Sequence, residues 1–331
     1  FPKAHYIFHY VNAWDWVNEN QDQMVTCFGR PMYDLDINVG LRNREASFSV
    51  TEPYFLGREI SAGGEIFYND RNVSNIYGRR EIGADMTLGY KLTERLNQSW
   101  TYGLTQTEVS NIADNASLLI TQQAGTSIRS EARHFLRYDR RDVAINPTEG
   151  YLLAMRNSLA GLGGSVRYLK TTAEATHYLP LGETFTVATR VEGGFIEGLG
   201  QDTLLADRFI IGGEVIRGFA PSGLGPREQD GGNLGGSRYW RTSAELRFPL
   251  PGLGEQGVKG RFFADVGAAW DVGQETGDSM VLDSANPRAS VGIGATWNSP
   301  LGPLSLDYGI PLVKESFDVE QRFRFSISTS F

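Results

Sequence analysis

Arg261-Phe262-Phe263-Ala264-Asp265-Val266-Gly267-Ala268-Ala269-Trp270 is the stretch on which the fold turns. Phe262, Ala264, Val266, Ala268 and Trp270 put an apolar or small residue at every second position, while the interleaved Arg261, Asp265 and Gly267 are polar or minimal. A period of two marks a β-strand with one greasy and one wet face. Phe185, Val187, Thr189 and Val191 repeat the pattern against Thr186, Arg190 and Glu192. So do Leu304, Leu306 and Tyr308 against Ser305 and Asp307, and Phe323, Phe325 and Ile327 against Arg324, Ser326 and Ser328.

Alternation alone suits the core of a soluble sandwich as well as a lipid-facing belt. Length and polar burden separate them. A chain of 331 residues with no helical stretch would need two or three sandwiches, yet no linker divides it, and many strands carry Arg, Glu or Asp on the non-apolar face. One closed barrel with a wet interior accommodates those charges, and closure pairs the edge groups that lipid would leave unsatisfied. The 39 glycines exceed the ~7% of average usage. The mean hydropathy of −0.29 fits strands of which half the residues face water. No run of ~18 apolar residues is present, so no transmembrane helix is expected.

Connections support the same reading. Asn146-Pro147-Thr148-Glu149-Gly150, Leu179-Pro180-Leu181-Gly182, Pro249-Leu250-Pro251-Gly252 and Asn298-Ser299-Pro300-Leu301-Gly302-Pro303 read as tight turns. Longer polar stretches lie at 111–123, 220–236 and 273–288. Short turns on one side and long loops on the other fit an outer-membrane barrel, and chain length then gives about sixteen strands. Residues 323–331 form an alternating final strand that ends on Phe331. Trp240, Trp270, Trp297 and Tyr308 read as interfacial girdle residues near strand ends.

Gly212-Gly213-Glu214-Val215-Ile216-Arg217-Gly218-Phe219 opens a Gly- and Pro-rich loop that runs to about residue 236. A cation held in such a loop needs acidic partners, and Glu245 and Asp265 stand on the polar faces of the next two strand patterns. If the sheet closes, both point inward, where a folded-in loop would bring Arg217. A guanidinium suits this role because its rigid fork engages two carboxylates at once and stays charged. Gly218 allows a close backbone approach, and Phe219 packs the loop tip.

Other chemistries find little support. A net charge of −8 argues against nucleic acid. Cys27 is the single cysteine, and His5, His9, His134 and His177 are scattered, so no metal or cofactor is expected. Gly231-Gly232-Asn233 and Gly235-Gly236 lead into a strand pattern rather than a helix with a following Lys, which excludes a phosphate loop and suggests loop flexibility. Asp139-Arg140-Arg141-Asp142 reads as solvated charge beside a turn, and no catalytic set of nucleophile and base exists, so an enzyme is not expected.

Six segments together resemble the C-terminal barrel of the BamA family, outer-membrane β-barrel assembly insertases of the BamA/TamA superfamily, in an alphaproteobacterial-like form. They are residues 51–58, residues 138–142 with 146–151, Ile216-Arg217-Gly218-Phe219, Gly231-Gly232-Asn233, Phe263-Ala264-Asp265-Val266-Gly267, and 297–303, in the family's order. The resemblance implies an all-β fold, a single closed antiparallel transmembrane β-barrel over 34–331, with a long extracellular loop folded into the lumen. It makes Arg217, Gly218 and Phe219, with Glu245 and Asp265, a lumenal lock. It also implies a lateral seam between first and last strands, with Phe323, Phe325, Ile327 and Phe331 on the last. Nascent outer-membrane proteins would enter there without ATP; accessory lipoproteins, outer-membrane lipids and lipopolysaccharide are the further partners implied.

Residues 1–33 depart from the pattern as an atypical N-terminal segment where the first barrel strands are expected. The family's periplasmic POTRA domains are not in the sequence, and no signal peptide opens it, so it reads as a mature fragment. Two alternatives stay open: a two-partner-secretion-type polypeptide pore, which would carry a plug helix and a firmly paired first strand, and the related TamA barrel. Charge reversal at Arg217 is expected to collapse the lock, and a paired Asp265→Arg to restore it in part.

Overall fold

The computed structural model describes residues 5–7, 31–39, 43–73, 77–113, 121–144, 146–228, 232–254, 257–272, 281–299 and 302–327. All its long elements are strands: β1 (His5–Ile7), β2 (Met32–Val39), β3 (Asn43–Glu52), β4 (Ile60–Val73), β5 (Tyr77–Lys91), β6 (Leu96–Ser110), β7 (Gly125–Asp139), β8 (Gly150–Gly164), β9 (Tyr168–Leu181), β10 (Phe185–Gly198), β13 (Arg238–Pro249), β14 (Val258–Trp270), β16 (Arg288–Ser299), β17 (Gly302–Val313) and β19 (Phe323–Ile327). Four two-residue strands lie in the connections: β11 (Gly218–Phe219), β12 (Arg227–Glu228), β15 (Val281–Leu282) and β18 (Glu320–Gln321). The fifteen long-sheet strands are hydrogen-bonded in chain order from β1 to β19, an antiparallel meander where about sixteen strands were expected.

Two compact units divide the chain: residues 1–136, 156–169 and 199–201, and residues 137–155, 170–198 and 202–331. In the first, β5 shows the expected alternation. Ile82, Ala84, Met86 and Leu88 are exposed, whereas Glu81, Gly83, Asp85 and Thr87 are partly covered. The covered face pairs its polar groups: Thr87 with Thr101 at 2.8 Å, Arg133 with Asp85, and the Tyr168 hydroxyl donating to Glu131 at 2.7 Å. Of the segment 1–33, only 5–7 and 31–33 are described; β1 adds to the sheet edge by pairing His5 with Asn38.

In the second unit, β10, β13, β14, β16, β17 and β19 follow one another. Phe262, Ile293, Leu306, Tyr308, Phe323 and Phe325 crowd the exposed face. Arg261, Asp265, Ser290 and Asp307 occupy the other, as period two requires. Tyr308 is not a strand-end residue, however. It sits within β17, opposite Ile293 and Phe323, because β17 continues to Val313 past Pro311. The ladder shifts register between Ala289 and Ser290, opposite that proline, whose missing N–H suits a bulge.

The short connections carry their own chemistry. Gly150 has φ +96°, and a Cβ there would stand 2.0 Å from the Arg140 carbonyl oxygen, so the residue after Glu149 has to be glycine. Asp142 accepts the Thr148 N–H at 3.1 Å and the Thr148 hydroxyl at 2.7 Å, closing the 140–149 connection. The Thr148 hydroxyl is the main reason that the Asp142 carboxyl is held down at about 2. A depressed carboxylate stabilises above its ordinary ~3.9 and loses that contribution as pH falls through the folded value. The stability advantage of wild type over Asp142→Asn is therefore expected to be steady above about pH 4 and to fade as pH falls through about 2, read by denaturant unfolding at each pH.

Gly292 supplies a packing test. A Cβ there would lie 2.2 Å from the Tyr308 carbonyl oxygen and 2.3 Å from the Phe263 ring. Gly292→Ala is expected to cost roughly 1–3 kcal/mol by overpacking, whereas a change at Ala295, on the opposite face, stays within about 0.5 kcal/mol. Urea unfolding in detergent, followed by tryptophan fluorescence, reads both.

Candidate functional site

The polar face of the second unit is a ladder of ion pairs. Tyr239, Arg241, Ser243, Glu245 and Arg247 alternate along β13 and project from one side because their spacing is two. Arg241 donates to Glu192 at 2.7 Å, as does the Tyr239 hydroxyl at 2.6 Å. Arg247 pairs with Glu245 at 2.8 Å, and Arg261 grips Asp307 with two bonds of 2.8 and 2.6 Å. With such pairing the wall resembles a brace more than an anion trap. A polar cavity of about 500 Å³ lies beside it, with Arg190, Arg241, Glu174 and Arg217 among its lining.

Arg217 is brought to this wall by the 202–237 connection, and it uses every part of its fork. Nε and Nη2 each donate to one oxygen of Asp265 at 2.7 Å, and Nη1 donates to Glu245 at 2.6 Å. The Arg217 backbone N–H adds a further bond to Asp265 at 3.0 Å. Ser243 accepts from Nη2 at 3.1 Å and donates to Asp265 at 2.7 Å, so it joins both partners. The guanidinium stacks 3.7 Å from the Phe263 ring centre. The Arg217 side chain is 12% exposed and that of Asp265 1%, which places the pair where an unpartnered charge is costly. Burial alone would lower the Arg217 pKa; the bonds and charges of Asp265 and Glu245 outweigh it and raise the pKa above its ordinary value.

Glycines clear the wall for the loop. Gly218 has φ +97°, and a Cβ on Gly309 would lie 2.6 Å from the Gly218 nitrogen. A Cβ on Gly267 would stand 2.9 Å from the tip of Ile216. Ile216 and Phe219 are buried at 0% and 2% exposure. Gly218 and Phe219 form β11 and pair with Gln321 and Glu320 of β18. Arg324 of β19 reaches Glu214 at 3.3 Å.

All five expected lock residues, Arg217, Gly218, Phe219, Glu245 and Asp265, thus converge. Ser243, Phe263, Gly267 and Gly309 were not anticipated. The first three stand two residues from Glu245 or Asp265, and same-face spacing was the available signal; Gly309 lies on a strand with no such anchor. Phe323 and Phe325 stand on the opposite, exposed face, across from Tyr308 and Leu306. Ile327 pairs in register with Leu304, and Phe331 lies outside the described residues. Asn233 corrects the view of its segment as merely flexible: its side-chain amide donates to the Ser222 carbonyl at 2.9 Å and to that of Leu224, and its oxygen accepts from the Gly235 N–H.

Because Asp265 also accepts a backbone N–H, exchanging the charges cannot rebuild the lock: Arg217→Glu with Asp265→Arg would set a guanidinium against that N–H. We expect Asp265→Asn or Arg217→Lys to cost up to ~3–5 kcal/mol, the range for breaking a buried pair. Either change should open the 212–236 loop to protease in the folded protein, with the double reversal no better. Limited proteolysis alongside thermal unfolding checks this.

Residues 28–331 match the model of the Omp85 superfamily domain. The chain is similar to the outer membrane protein assembly factor BamA of Neorickettsia risticii, 31% identical over 277 residues, covering 82% of this chain and 37% of that protein. Similarity to BamA of Neisseria meningitidis serogroup B is 29% over 339 residues, covering 86% and 41%. The sorting and assembly machinery component 50 homolog B of Xenopus laevis is 31% identical over 223 residues, covering 64% and 47%. The chain therefore spans less than half the length of each of these relatives. Among solved structures, BamA from Haemophilus ducreyi lacking POTRA domains 1-3 aligns with a TM-score of 0.76 at 24% identity, covering 89% of this chain and 63% of that one. CdiB from Acinetobacter baumannii aligns at 0.56 and 13% identity, covering 88% and 52%. The family match spans both the strands that carry Glu245 and Asp265 and the loop that carries Arg217, and the chain belongs to the Omp85 superfamily.

Proposed function

We propose that this chain is the barrel domain of an outer-membrane insertase, which folds and inserts nascent β-barrel proteins through a lateral seam between its first and last strands. In this reading the meander closes into a transmembrane barrel of about sixteen strands over 34–331, residues 1–33 contribute to its first strands, and the Arg217 loop is an extracellular loop folded into the lumen. Exposed apolar faces such as Phe262, Ile293 and Leu306 meet lipid. The work needs no ATP, cofactor or catalytic group, because a client strand exchanges backbone hydrogen bonds with a freed strand edge nearly one for one. Accessory lipoproteins and the lipids and lipopolysaccharide of the outer membrane are its partners beside the clients.

The observation that supports this reading is how the chain treats its last strand. Among the described residues β19 pairs with β17 over five positions, from Tyr308–Phe323 to Leu304–Ile327, whereas β16 and β17 share eleven. Past Arg322, whose carbonyl still accepts the Gly309 N–H of β17 at 2.8 Å, the chain leaves that ladder, and Glu320–Gln321 pairs with the Arg217 loop instead. The last strand is thereby held at its N-terminal end by the Arg217 loop, and its described residues meet their neighbour over this five-position ladder. Phe323, Phe325, Ile327 and Phe331 would lie along the seam.

A second reading, a polypeptide-translocation pore, draws on the polar cavity beside Arg217. It requires the locked loop to leave the lumen. Disulfides between cysteines scanned along β19 and β2, in a Cys27→Ser background, distinguish the two. We expect oxidation to abolish accelerated insertion of a client barrel into liposomes and reduction to restore it; undiminished insertion would rule out the seam.

A further inference from the structure

We propose that Arg288 and Asp318 are positioning residues that complete a three-sided clasp of connections, and that this clasp holds the Arg217 loop and the approach to the last strand. Two sides are short ladders made by the 202–237 connection. β11 pairs with β18, extended by the Ala220 N–H donating to the Val319 carbonyl and the Val319 N–H to the Gly223 carbonyl. β12 pairs with β15 through Arg227–Leu282 and Glu228–Val281. With these alone, the 271–287 and 314–322 connections would each hang separately from the Arg217 loop.

Arg288 and Asp318 join those two connections to each other. Their side chains are 1% and 0% exposed, and Arg288 donates from Nε to Asp318 at 3.1 Å. Nη1 donates to the carbonyls of Ser284 and Asn286 at 2.7 and 2.8 Å, which fixes the chain just after β15. Asp318 in turn accepts the Glu315 N–H at 2.8 Å and immediately precedes Val319, where the β18 contacts begin. Glu315 accepts from the Ser284 hydroxyl at 2.8 Å and the Asn286 amide at 2.7 Å, so the third side has two rungs. The geometry needs a fork: a lysine ammonium could not reach the carboxylate and both carbonyls from one plane. A buried pair with such bonding is a positional device, since charge buried this fully is retained only where its bonds are satisfied.

The Arg288–Asp318 side of the clasp shares no residue with the lock, and the two meet through the backbone of β11. The bearing of the clasp on client insertion rests on the insertase reading; its existence does not. The test uses the full chain with Cys27→Ser, refolded in detergent, and a nitroxide attached at Gln321→Cys in β18 or, as control, at Leu306→Cys in the middle of β17. We expect Asp318→Asn to mobilise the label at 321 and leave that at 306 unchanged, and Asp318→Glu to recover part of the immobilised signal. A uniform loss of stability would not loosen 321 alone. Should Asp318→Asn fail to fold, Arg288→Lys, which keeps the charge and removes the fork, is expected to give the same localised change. An unchanged spectrum at 321 in a folded variant, or equal mobilisation at 306, would overturn the clasp. Failure of the wild type to accelerate client insertion would instead count against the insertase reading.

Discussion

A guanidinium carried inward on a loop must meet carboxylates, and nearly everything around Arg217 follows from that requirement. Asp265 alone would satisfy part of the fork; Glu245 takes the remaining amino group, and Ser243 orients the carboxylate. For these groups to meet, the loop backbone has to lie against the sheet, so the wall carries glycine at 267 and 309 where side chains would otherwise stand. Gly218 then has to adopt positive φ, which lets the chain turn from the arginine into β11. Charge, glycine placement and loop path form one constraint, and altering any of them displaces the others.

Much of this was legible in the sequence because period two is a strong signal. Once the polar faces of β13 and β14 were identified, Glu245 and Asp265 followed as residues able to face a cation from adjacent strands. What remained hidden was long-range. Gly309 lies 92 positions beyond Arg217 by sequence number, and nothing local distinguishes it from other glycines. β18 is two residues long and Glu320–Gln321 carries no strand pattern, so its pairing with the loop arises only from tertiary geometry. Tyr308 was misplaced because Gly309 and Pro311 look like a strand end; a bulge in β17 itself, where Leu312 has no partner between Pro311 opposite Ser290 and Val313 opposite Ala289, absorbs the proline and lets the strand continue.

Among the described residues the second unit has a part paired over long ladders and a part paired over a short one. β13, β14 and β16 are paired along ten or more positions and carry the carboxylates. β19 is tied by fewer described pairs and receives a further constraint through β18 and the Arg324–Glu214 bridge, both of which involve the loop that carries Arg217. Under the proposed function this asymmetry has a use: the wall stays intact while one edge exchanges partners, and the Arg217 contacts would confine opening to the strand that a client replaces.

Hydrogen–deuterium exchange of the folded barrel in lipid nanodiscs, resolved to individual amides, tests that division most directly. The account predicts slow exchange in β13, β14 and at the Arg217 amide, which is bonded to Asp265, together with markedly faster exchange along β19. Protection of β19 equal to that of β14, or an Arg217 amide that exchanges as fast as an open loop, would contradict it.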